Sequence, residues 1–133
     1  MSRSLLQTAN SSAQNVDVSG VIGLGRVLRR YGCNIRLNGD AVEIEGAGYY
    51  TISAAVVATP TAAEDVTVAV YKDGVAVPAA TATQTVGTAG DTVTLPIETT
   101  VRLGCCDGAS ALTLVLESGA GVIDNVSARI EKE

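Results

Sequence analysis

Histidine is absent from all 133 residues. That removes the usual general base of Ser-His-Asp and Cys-His catalysis, and with it histidine metal ligation. The densest remaining group of soft donors is Cys105-Cys106-Asp107, with Cys33 far off in the chain. A structural zinc site takes about four ligands at characteristic spacings, and a vicinal pair plus one distant cysteine falls short of that. Adjacent cysteines on a strand point to opposite faces, so Cys105 and Cys106 are not expected to bridge each other. The odd cysteine count reads as free, partly buried thiols in a reducing compartment. An intermolecular disulfide of the vicinal pair near a subunit boundary is the alternative under oxidation.

Carboxylates come next. Glu43 and Glu45 lie two apart and share one face of a strand. Paired carboxylates divide acid and base roles only when their environments differ, and on the wet face of an alternating strand both are solvated. Glu64-Asp65 and Asp91 fall in turns, where acids make local hydrogen bonds. Such oxygen-rich loops suit calcium, but the spacing of an EF-hand is missing. Gly20, Gly23 and Gly25 do not complete a dinucleotide fingerprint, because the last glycine and the surrounding βαβ unit are lacking. No catalytic residue, metal ligand or cofactor is therefore expected, and the chain reads as a non-enzyme.

The elements that would have to position any site are strands. The chain has no Phe or Trp and only four Tyr, so Val, Ala, Leu and Ile must fill the core. Small side chains suit closely packed sheets or a close subunit interface. One domain is expected at this length, with a folded surface of roughly 6,500 Å². Ile35 and Leu37, then Val42 and Ile44, alternate with polar neighbours around Asn38-Gly39, a hairpin with type I′ turn chemistry. Tyr50, Ile52, Ala54 and Val56 mark one face of a longer strand ending at Pro60, with Tyr49 on the other face. Val66, Val68 and Val70 lead through Asp73-Gly74 into Val75 and Val77, a second hairpin. Thr81 to Thr88 reads as an exposed strand and loop.

Val93, Leu95, Ile97, Val101 and Leu103 share one parity, and Pro96, on the wet parity, marks an edge or bulge. Leu112, Leu114 and Leu116 repeat the motif, and Val122, Val126, Ala128 and Ile130 close it. Residues 16–31 fit less well. Leu24, Val27, Leu28 and Tyr31 recur at helical spacing behind a crowd of glycines, and a strand followed by one helical turn or a loop is expected there. Residues 1–15 are polar and aperiodic and read as a flexible arm, leaving residues 16–133 as the domain. Eight to ten strands without long helices give an all-β, antiparallel sandwich or barrel.

Charge is uneven. Residues 1–36 carry Arg3, Arg26, Arg29, Arg30 and Arg36 against Asp17 alone, and the remainder holds four bases against thirteen acids, for a net charge of −5. The early arginines are candidates for a basic attachment arm toward an acidic partner. The acidic bulk argues against nucleic-acid binding by the whole domain. Leu5-Leu6 is followed at once by polar residues, so no secretory signal is read and synthesis in the cytoplasm is expected. No run of about 18 apolar residues marks a membrane span.

Strand order, with Gly48-Tyr49-Tyr50-Thr51-Ile52-Ser53 opening the central strand, resembles the jelly roll of the tumour necrosis factor and complement globular-head superfamily. The similarity also rests on Asn34-Ile35-Arg36-Leu37-Asn38-Gly39, Ala41-Val42-Glu43-Ile44 and Val68-Ala69-Val70-Tyr71-Lys72-Asp73-Gly74. The late Leu112-Thr113-Leu114 and Val126-to-Ile130 strands complete it. The nearest look is to bacterial and bacteriophage types, including the C-terminal domain of collagen-like spore-surface glycoproteins. The resemblance implies a ten-stranded jelly roll assembling as a homotrimer, with recognition by outer loops. A structural or adhesive module is then expected, a virion decoration or fibre tip or a spore-surface protein reached by assembly. Its partners would be itself and a virion protein, a cell-surface protein or a glycan. Tyr49, Tyr50, Ile52, Leu112, Leu114 and Leu116 become candidates for trimer interface or core. The collagen-like stem and the aromatic axis of that superfamily are missing here, which counts against a cytokine role. A carbohydrate-binding sandwich is the alternative, weakened by the scarcity of aromatic side chains to stack on sugar rings.

Overall fold

Alternation along the chain builds twelve strands, seen in a computed structural model that describes residues 4–104 and 108–132. They are β1 (Ser4–Asn10), β2 (Gln14–Val16), β3 (Gly20–Val21), β4 (Arg26–Tyr31), β5 (Ile35–Asn38) and β6 (Ala41–Glu45). Then come β7 (Gly48–Pro60), β8 (Asp65–Lys72), β9 (Val75–Thr85), β10 (Val93–Leu103), β11 (Ala109–Ser118) and β12 (Gly121–Lys132). One sheet runs β10-β7-β12-β1-β4, with β2 also on β12. The other runs β5-β6-β11-β8-β9, with β3 also on β11. All pairings are antiparallel. Apart from β1–β2, β5–β6 and β8–β9, sequence neighbours are split between the sheets, so the chain crosses repeatedly from one to the other, as a jelly roll does.

The inner faces supply a core of Leu, Ile, Val and Ala with Tyr50 as its one large aromatic. Packing is close: the cavity among Leu24, Val42, Ile52, Val70, Leu112 and Ile130 measures only about 20 Å³. The total exposed surface is 6702 Å², near the value the chain's mass alone implies. Tyr50 reconciles its polar end with this core at the sandwich margin, where its hydroxyl lies 2.8 Å and 2.7 Å from the carbonyl oxygens of Glu45 and Gly46.

Several expectations need correction. The polar N-terminal segment is not an arm over residues 4–10. β1 is inserted between β12 and β4, and Ser4, Leu6 and Thr8 are buried. Its inward positions alternate hydroxyl and leucine side chains, which hides the strand period from a hydropathy reading. The helical spacing of Leu24, Val27, Leu28 and Tyr31 is accidental. Leu24 is buried in a connection, while the other three lie on β4, every residue of which is exposed. Gly25 enforces that extended path: it sits at φ +80°, and a Cβ there would collide with the Ala9 carbonyl oxygen. Near the C-terminus, the β12–β7 register shifts between Ile123 and Asn125. The bulge at Asp124 switches parity, so Ile123 rather than Val122 enters the core.

Turn chemistry also differs between the two hairpins. Asn38 pairs with Ala41, so the central residues are Gly39 and Asp40, and only Gly39 has positive φ. That is the type II′ pattern rather than I′. Asp73 and Gly74 both have positive φ, as type I′ requires. Pro96 lies on β10, an edge strand, the place in a sheet where a residue without an N–H is tolerated.

Candidate self-association face

The β10-β7-β12-β1-β4 sheet turns one face to the core and leaves the other open. Because its registers run on from strand to strand, the open face is a grid of rows. Tyr31, Leu5, Glu131, Thr51 and Thr100 form one row across all five strands. Arg29, Gln7, Arg129, Ser53 and Glu98 form the next outward row, and Arg26, Ala9, Ser127, Ala55 and Pro96 the one after it. Side chains in one row project to the same side, about 4.8 Å apart from strand to strand.

The centre of this grid holds small side chains. Ser53, Ala55 and Ser127 floor a shallow concavity of about 290 Å³, walled by Gln7, Pro96 and Arg129. Arg129 stands out from it, 57% exposed, with Nη2 donating to Glu131 Oε2 at 2.7 Å. Glu98 is exposed on the far side and has no ion-pair partner among the described residues. Thr51 and Thr100 hydroxyls join β7 to β10 at 3.3 Å, and Thr59 of β7 meets Thr92, just before β10, at 2.9 Å. Such cross-strand pairs stiffen the platform.

The residues singled out from sequence divide between the core and this face, where Tyr49, Arg26 and Arg29 lie. Tyr50, Ile52, Leu112, Leu114 and Leu116 are buried within the subunit between its two sheets, whereas Tyr49 is 53% exposed. Of the candidate basic residues, Arg26, Arg29 and Arg30 sit together on β4, and Arg30 Nε donates to the Ile35 carbonyl at 3.0 Å. Arg3 lies outside the described residues, as do Cys105, Cys106 and Asp107. Cys33 is free and exposed rather than partly buried. Glu43 accepts from Asn38 at 3.0 Å and from Arg36 at 2.7 Å, and these bonds, Asn38 first, hold its carboxyl below the usual range. Glu45 is exposed, and its backbone carbonyl accepts from Asn34. No group of three metal-ligating side chains is found among the described residues. No helix there is long and apolar enough to cross a membrane.

Sequence reasoning did not find Gln7, Ser53, Ala55, Glu98, Ser127 or Arg129. The available signal was the off-core parity of β7 and β12, where small residues recur opposite the buried ones.

Solved structures of several proteins superpose over nearly the whole chain. Murine APRIL aligns with a TM-score of 0.70 at 13% identity, covering 99% of this chain and 100% of its own. The globular domain of zebrafish complement 1qA protein gives 0.68 at 6% identity, covering 96% and 93%. The fold is the tumour necrosis factor and complement globular-head jelly roll. A third member of the fold is the PRD1 vertex protein, with a TM-score of 0.61 at 10% identity over 96% of this chain and 94% of that one. The sequence matches no family model and no curated protein sequence. In this jelly roll, β1 and β12 lie side by side at the centre of one sheet, so the two ends of the described chain share the open face.

Proposed function

We propose that this chain is a non-enzymatic structural module that self-associates as a homotrimer through the open face of the β10-β7-β12-β1-β4 sheet. The observation that carries this reading is the small-residue concavity of Ser53, Ala55 and Ser127 at the centre of that face. Small residues let a second backbone approach closely, while the flanking charged and polar groups set the register of contact. The candidate aliphatic residues are already consumed by the core, so the association would rest on close packing and polar complementarity rather than on an apolar axis.

The setting that best fits is the outside of a virion, a structural or adhesive decoration. Likeness to a protein described as a vertex protein supports it. Two experiments test the reading. Ala55→Arg should plug the concavity and convert the assembly to monomer while the far-ultraviolet spectrum stays β-type; retention of wild-type mass would contradict it. An antibody against the folded chain should label the outside of intact particles in electron micrographs, and label confined to the cell interior would contradict the surface location.

A further inference from the structure

We propose that the contact specifying self-association is an ion pair between copies, Arg129 of one with Glu98 of the next. This rests on the self-association reading above and names the groups that would direct it. The two residues occupy one outward row, with Ser53 between them. Two strand spacings separate their backbones by about 10 Å. The short serine leaves the row open between Arg129, which walls the concavity, and Glu98, which stands beyond it on β10.

Each partner has capacity left over. Glu98 has no ion pair among the described residues, while Arg129 uses one amino nitrogen on Glu131. A guanidinium has five N–H donors, so the remainder of Arg129 is free to take a second carboxylate. Arg29, in the same row beyond Gln7, adds a second cation on the Arg129 side. This row is therefore positive toward β4 and negative at β10, with Arg102 two rows away on the same strand. A surface polarised in this way is complementary to a laterally shifted copy of itself, which is the requirement for a head-to-tail contact that a rotation can close into a ring. Like charges meet when the shift is wrong, so the pair selects register as well as partner.

The decisive experiment is a charge swap on the full chain, read by sedimentation velocity at micromolar concentration, with circular dichroism reporting fold separately. Glu98→Arg and Arg129→Glu should each raise the dissociation constant of the assembly by about tenfold or more. The chain carrying both changes should return to the wild-type assembly. Glu98→Gln, which leaves size and fold unaltered at an exposed position, should weaken association less than the reversal does. Wild-type association in both single reversals would overturn the proposal, and so would two disrupted singles that the double change does not rescue. A wild-type chain that is monomeric would instead sink the self-association reading, and this pair with it.

Discussion

Leu6 of β1 lies directly opposite Ile130 of β12, and both side chains are sealed inside the sandwich. The first and last strands of the described chain thus share a central ladder, and the N-terminal strand is part of the core. Leu6→Ala should lower the unfolding free energy by about 2–5 kcal/mol, the range for truncating a buried leucine. Equilibrium denaturation measures it. A loss within about 0.5 kcal/mol, normal for an exposed residue, would mean that β1 does not hold this place.

Thr8, two residues along the same face of β1, is completely buried, and its hydroxyl finds no hydrogen-bond partner among the described residues. A buried unpaired hydroxyl is destabilising by about 1–3 kcal/mol. Thr8→Val keeps the branched shape and removes the hydroxyl, so it should raise the denaturation midpoint. A lowered midpoint would show that the hydroxyl has a partner.

Burial, followed by the nearby Glu45 charge, pushes the Tyr50 phenol above its ordinary value near 10. Below that value the phenol is protonated in both folded and unfolded chains, so its contribution is fully present. As pH rises past 10 the unfolded chain releases the proton first, and stability falls until the folded phenol also ionises. Tyr71 adds to the same slope, since its hydrogen bond to Glu117 also raises it. Tyr50→Phe should therefore flatten the loss of stability above pH 10, measured as denaturation midpoint against pH. It should also lower stability at neutral pH, because the Glu45 and Gly46 carbonyls lose their donor. An unchanged alkaline slope would contradict the burial of that hydroxyl.

Glu43 behaves with the opposite sign. Asn38 and Arg36 hold its carboxyl below the usual carboxylate range, so the hairpin is favoured above the ordinary glutamate value and loses that support as pH falls through the depressed one. Asn38→Ala should move the Glu43 midpoint upward in a carboxyl-carbon magnetic resonance titration, and Arg36→Ala should do the same. A midpoint indifferent to both changes would remove the network.

Most of the strand ladder is legible in the sequence because one face of each long strand is dry. Leu95, Ile97, Val101 and Leu103 are buried, while Pro96, Glu98 and Arg102 are exposed. The exceptions have local physical causes. β1 hides behind buried Ser4 and Thr8, β4 overhangs the sandwich with both faces wet, and the Asp124 bulge changes parity within β12. The open face is the least legible part. Tyr50, Ile52 and the leucines at 112, 114 and 116 carry the strongest apolar signal, and folding uses that signal for the core. Ser53, Ala55 and Ser127 are unremarkable in sequence and gain meaning only when β7 and β12 come into register.

The most direct test of self-association is the absolute mass in solution, by light scattering after size exclusion and again after serial dilution. A mass of three times 13.5 kDa, persisting at micromolar concentration, is the expected result. A mass of 13.5 kDa at every concentration would contradict the account and leave the open face without a second copy to cover it.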